Sequence, residues 1–164
     1  MRLARSWLPS ALLAFPFLAP SVVHAQSAPV PYGAPVASDV AKKAASAALA
    51  EGRKNGWYVA AAVVDTGGVL VYFERIEGTQ NGSTETAIEK ARTSAAFRRP
   101  SKAFEDVVAS GKVNYLKLPG TIPIEGGTPL VVDGKIVGAI GISGATSAQD
   151  GVCAKAGADA LMVK

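Results

Sequence analysis

The apolar positions of this chain change period several times, and each change marks an element. Val40, Ala44, Ala47 and Ala48 recur at helical spacing. Ser38-Asp39 opens that run with a capping serine and an aspartate at the positive end, and Asn55-Gly56 stops it. Trp57 to Val64 is apolar on both alternations, as in a strand covered on both faces. Asp65-Thr66-Gly67-Gly68 is a turn signal and Val69 to Phe73 a second strand, so the pair predicts a hairpin, with Glu74-Arg75 returning to solvent.

The polar stretch Glu77 to Ser83 leads into a helix from about Thr84 to Phe97, with Ala87, Ile88, Ala91 and Ala95 as its buried stripe. Arg98-Arg99-Pro100 ends it, and Ser101 to Val108 predicts a short third helix. Lys112 to Ile124 reads as a loop, followed by the turn Glu125-Gly126-Gly127. Leu130 to Val132 and Lys135 to Ser143 flank Asp133-Gly134, a strong hairpin signal. A last helix begins at about Ser147, where Thr146 and Gln149 have the spacing of a capping box. Helix, hairpin, two helices, hairpin, helix is the order of an α+β domain on an antiparallel sheet, not of a parallel doubly wound fold.

Composition adjusts this picture at the amino end. Arg2 and Arg5, the apolar run Leu8 to Ala19 with Pro9 and Pro16 inside it, and the small-residue end Val23-His24-Ala25 have the form of a secretory signal. Two prolines oppose a membrane span. The expected mature chain therefore begins at Gln26, with residues 26–37 as a proline-rich extended arm and 38–164 as one domain. Arg2 and Arg5 leave with the signal, so the 17 basic and 13 acidic residues come nearer to balance, which argues against a nucleic-acid partner. The one histidine, His24, leaves too, and with it the commonest general base and metal ligand. Cys153 is the only cysteine, so no internal disulfide is possible.

Gly138, Gly141 and Gly144 interrupt the longest strand at three-residue intervals. The dinucleotide fingerprint needs a different spacing on a strand-to-helix turn, so a nucleotide cofactor is excluded, and neither a phosphate loop nor a nucleophile elbow occurs. Gly138 and Gly141 instead predict close approach of an alanine-rich helix. Gly144 lies where the strand meets the capped helix, and exposed N–H groups there could hold a carboxylate or serve only a tight turn.

The segments "GGTPLVVDGKIVGAIGISGATSAQD" and "AKAGADAL" resemble the C-terminal half of the GlcG/HbpS-like family of haem-binding proteins, which is also similar to the C-terminal domain of PduO-type cobalamin adenosyltransferases. "VAAAVVDTGGVLVYFERIEGT" and "STETAIEKARTSAAF" resemble that family's first hairpin and second helix, so the likeness runs from about Ser38 to Leu161. It implies a profilin-like, five-stranded antiparallel sheet with packed helices, even-numbered homo-oligomers, and binding of haem or a related tetrapyrrole. In exported members it implies haem handling or redox sensing. Two positions depart from the family pattern: Ala145 stands where a second glycine is frequent, and Gly151 where an acidic residue is frequent.

Haem-coordinating relatives use a histidine that the mature chain would lack. Tyrosine, cysteine and methionine also ligate haem iron, which leaves Tyr115, Tyr32 and Cys153, then Tyr58, Tyr72 and Met162, as axial candidates. Arg75 and Lys90 could anchor propionates or another carboxylate, as could Arg92, Arg98, Arg99 and Lys102. Ser83, Ser143, Gly144 and the Gly126-Gly127 turn could complete an anion-binding recess. The same residues fit a protein or enzyme acting on a small hydroxy acid, with Glu85, Glu89 or Lys90 moving protons.

Overall fold

The computed structural model describes residues 28–162. Their elements follow the predicted order: α1 (Ser38–Lys54), β1 (Ala60–Asp65), β2 (Leu70–Arg75), α2 (Ser83–Phe97), α3 (Lys102–Ala109), a 3-10 helix (Val113–Lys117), β3 (Gly127–Val132), β4 (Lys135–Ser143) and α4 (Ser147–Asp159). The strands form one sheet in the order β2-β1-β4-β3, every pair antiparallel. The proteins this chain resembles imply five strands; among the described residues there are four. Residues of the arm come nearest to a fifth, because Tyr32 makes a single parallel bridge with Ile136 beyond the point where β1 ends. The Gly33 and Val36 amides donate to the Ile136 and Val137 carbonyls, which satisfies that open stretch of β4 without building a strand. Val36 is 7% exposed, so the arm's end belongs to the core.

The two apolar alternations of β1 serve two layers. Ala61 and Val63 face the α1 and α4 side with Leu130, Ile140 and Ile142, whereas Ala60, Ala62 and Val64 face α2. Alanine governs the helix packing: Ala41, Ala44, Ala45 and Ala48 of α1 are wholly buried, as are Cys153 and Ala154 of α4. Side chains that short let the helix axes come close to their neighbours. A Cβ on Gly141 would collide with the Ala87 carbonyl, so α2 rests its backbone directly on β4, as its sequence predicts. Gly138 has a different cause, because its crowding comes from the Val64 carbonyl and the Val36 side chain rather than from a helix.

Caps and turns account for most of the smaller differences. Thr146 and Gln149 form the predicted capping box. At α1 the N-cap is Ala37, with no side-chain bond, and Ser38 is already helical. Ser101 donates to the Ile124 carbonyl (2.6 Å) and accepts from the Gly127 amide (2.9 Å), so its hydroxyl stitches the start of β3 to α3. Gly127 is thereby the first residue of β3 rather than part of a turn. Asp133 and Gly134 both have positive φ (49° and 71°), the geometry of a tight hairpin turn.

Candidate functional site

The predicted site residues fall into two neighbouring groups, one of them sealed inside the protein. Lys90 lies on the sheet-facing side of α2, 1% exposed, and pairs with Asp150 at 2.8 Å. Its ammonium also donates to the Ile142 carbonyl at 3.1 Å, and Asp150 accepts from the Ala145 amide at 3.1 Å. Burial pushes the Asp150 carboxyl above its ordinary range, opposed by the hydrogen bond and charge of Lys90. Gly126 covers this pair. A Cβ there would stand 2.6 Å from the Ile142 carbonyl and 2.9 Å from Lys90 Nζ, and φ is +128°. Gly127 is crowded by the Lys90 carbonyl and by Ser94 Oγ. These two glycines thus exist for close packing over a buried ion pair, and Lys90 is not the solvated lysine of an exposed helix face. Asp150 is the residue that sequence reasoning missed. Its signal was indirect: Lys90 falls on the stripe Ser83, Ala87, Lys90, Ala91, Ser94, and a lysine buried there requires an acidic partner.

The second group gathers at one end of the sheet. Arg75, Ala60 and Ser143 are register partners on three adjacent strands, so their side chains share the face that carries α2. α2 runs antiparallel to β4, with Ala87 over Gly141 and with Ala91 and Ala95 beside Ala139. Ser83 is one turn before Ala87, the residue over Gly141, so the antiparallel course of α2 carries it towards the Ser143 end of β4. Ser83 is 1% exposed, and its hydroxyl has no hydrogen-bond partner. Arg75 is exposed, and its Nη1 donates to Asn81 at 3.4 Å. Gly144 follows Ser143, held against the Tyr58 carbonyl.

The axial candidates are dispersed. Tyr32 donates to the Ala95 carbonyl (2.6 Å) at the end of α2, under the Arg98 guanidinium at 5.2 Å. Arg98 has φ +53° there. Cys153 is wholly buried between α4 and the sheet, and its thiol is pushed up to about 11, first by desolvation and then by Asp150 and Glu51. It is therefore protonated and sealed at neutral pH. Tyr72 donates to Glu74 at 2.8 Å, Tyr58 packs beside Gly78, and Met162 lies 64% exposed past α4. Glu89 pairs with Arg92 at 2.6 Å and Lys102 with Asp106 at 2.7 Å. Glu85 is an exposed residue of the first turn of α2.

Tyr115 is placed differently. It lies half-buried in the 3-10 helix and lines a surface cleft of about 380 Å³ with Asn114, Lys117, Leu118 and Pro119. Phe104 backs it at 6.5 Å between ring centroids, and Phe97 packs edge-on to Phe104 at 5.2 Å. Beside the cleft, Val113 and Leu116 are 62% and 59% exposed. From Val107 to Ile124 the only charged residues are Lys112 and Lys117. This apolar, cationic surface was a loop to the sequence, because its pattern has no helical or strand period. Gly120 of the same loop reaches the turn between β1 and β2, at the end of β2 remote from Arg75, so Tyr115 and Arg75 belong to separate places. Among the described residues no three or more of His, Cys, Asp and Glu are grouped to hold a metal ion, and no helix is long and apolar enough to cross a membrane.

The fold and its residues have known counterparts. The family described as "Haem degrading protein HbpS-like" matches residues 36–159. Protein GlcG of Escherichia coli (strain K12) is 40% identical over 108 residues, covering 63% of this chain and 81% of that protein. A double mutant of Streptomyces reticuli HbpS superposes with a TM-score of 0.72 at 31% identity, over 87% of this chain and 98% of that one. The PduOC–heme complex superposes with a TM-score of 0.70 at 25% identity, over 79% of this chain and 97% of that one. With the family matched along nearly all of the described domain and the antiparallel sheet and its helices reproduced in solved relatives, this chain belongs to the HbpS-like family.

Proposed function

We propose that this protein binds haem, or a related tetrapyrrole, on the surface formed by residues 113–119. The observation that carries the reading is the cleft at Tyr115, where one phenol, the apolar Leu118 and Pro119 and the cationic Lys117 lie together. These residues fit the group: tyrosine is a known axial ligand for haem iron, Leu118 and Pro119 offer contact to a macrocycle face, and Lys117 in the cleft, with Lys112 five residues before it, offers charge to its carboxylates. The bound haem would supply the iron. The chain would supply orientation through Tyr115, backed by Phe104, and charge compensation through the lysines. Haem is larger than the cleft, so one face would stay open to solvent or to another subunit. The haem named in the PduOC structure and in the family's description supports the same class of ligand.

Titration of the protein with ferric haem tests this reading. A saturable, sharpened Soret band that survives gel filtration is expected, with Tyr115→Phe changing the band and Lys117→Ala weakening binding. Haem that elutes apart from the protein would refute it.

The reading extends to an exported homo-oligomer. Residues 1–25, which carry the signal-like pattern, lie outside the described residues; export predicts that the protein recovered from the cell envelope or medium begins at Gln26. Self-association is supported by β2, an edge strand whose Phe73 is only half-buried because α2 lies over β1, β4 and β3. Sedimentation velocity would show an even-numbered assembly, and a monomer at micromolar concentration would contradict it.

A further inference from the structure

We propose a second ligand site, for a small monocarboxylate, at the sheet end where Arg75, Ser83 and Ser143 converge beneath the amino end of α2. It goes beyond the haem reading and lies away from the Tyr115 cleft. Four observations carry it. First, Ser83 Oγ is buried with no hydrogen-bond partner among the described residues, and a hydroxyl held that way destabilises a fold unless something else uses it. An alanine would continue the stripe of Ala87 and Ala91 at no such cost. Second, the Ser83, Thr84 and Thr86 amides bond back to Gln80, Asn81 and Gly82, whereas the Glu85 amide has no acceptor among the described residues. That free donor stands at the positive end of a 15-residue helix. Third, Arg75 shares the Ser143 row and makes no ion pair among the described residues; its one side-chain hydrogen bond there is the long one to Asn81, which leads into α2. Fourth, Ser143, 6% exposed, adds a second hydroxyl from below.

The chemistry favours a carboxylate. A guanidinium, two hydroxyls and one amide match two oxygens of a single negative charge. One arginine beside Glu77 and Glu85 offers too little positive charge for a dianion. The ligand's apolar end would meet Ala60 and Phe73, which allows only a short chain.

Thermal shift and calorimetry on the full protein with acetate, lactate and inorganic phosphate test the proposal, using Ser83→Ala and Arg75→Gln. Acetate or lactate should bind saturably and raise Tm. Ser83→Ala should raise the Tm of the ligand-free protein and yet weaken carboxylate binding at least tenfold. A merely structural serine would show the first effect without the second. Arg75→Gln, on the surface, should leave the ligand-free Tm unchanged and weaken binding by a similar factor. Carboxylate binding that is absent, or equal in all three proteins, overturns the proposal, and so does phosphate binding more tightly than either carboxylate. None of these outcomes depends on whether haem binds.

Discussion

Removing either half of the Lys90–Asp150 pair should unfold this protein more readily than almost any other single change. Both residues are essentially sealed, at 1% and 2% exposure, so neither charge can be rehydrated if its partner is lost. In Lys90→Met the Asp150 carboxylate keeps only the backbone amides of Ala145 and Gly144, and in Asp150→Asn the ammonium keeps the Ile142 carbonyl but loses its counter-charge. Stranding a buried charge in this way costs about 3–5 kcal/mol. For a domain of this size that corresponds to a Tm lower by about 10–20 °C. Lys90→Met with Asp150→Asn removes both charges, and the asparagine retains an acceptor for Ala145, so the double variant should regain most of the loss. Urea unfolding followed through Trp57, which is packed against the core, gives the three free energies of the cycle. The pH dependence has a definite sign. Burial raises the Asp150 carboxyl in the folded state, so its contribution to stability is complete below the unfolded value near pH 4 and fades as pH rises through the folded value. Without Lys90 that rise grows, and Lys90→Met should be least impaired in acid. Single variants that each lose less than about 1 kcal/mol, with additive effects, would show that the pair is not sealed as described.

Two further perturbations probe the packing. Gly141→Ala drives a methyl into the Ala87 carbonyl, so α2 must lift from β4; a loss of about 3 kcal/mol or more is expected in the same urea assay, and a neutral result would refute the direct helix-on-strand contact. The Cys153 thiol, raised to about 11, contributes stability that is complete below its unfolded value near 8.5 and is lost as pH rises through 11. Stability should therefore fall across that window by up to about 3 kcal/mol more in the wild type than in Cys153→Ala, and the folded wild type should resist thiol reagents at pH 8. Rapid labelling would contradict the burial.

Much of this architecture is written in local signals. The alanine spacing of α1, the Asp133-Gly134 turn and the Thr146–Gln149 box all depend on neighbours within a turn or a strand, and each is found where its residues predict; Gly141 was legible because a bare backbone inside a strand itself marks a close approach. Most of what depends on distant parts of the chain was not legible. Lys90 reads in the sequence as a free anchor for a carboxylate, because its partner lies 60 residues away on α4. Gly138 looked like a helix contact, although the arm and β1 crowd it. The missing fifth strand has the same origin: residues 31–36 satisfy the free end of β4 with isolated hydrogen bonds, an arrangement with no periodic signature. Among the site residues, Arg75 and Ser143 lie in one register row at an end of the sheet, with Gly144 next to Ser143, whereas Gly126 and Gly127 pack over the Lys90–Asp150 pair. Tyr115 stood out only as a tyrosine on a polar loop, and its value comes from the cleft that folding builds around it.

Hydrogen exchange measured on the protein with and without ferric haem locates the ligand most directly. The haem reading predicts new amide protection concentrated in residues 112–121, where the 3-10 helix bonds only within its own segment and exchanges readily when free. Protection that instead gathers around residues 75–83 and 143–145, or that is absent while haem remains bound, would contradict it.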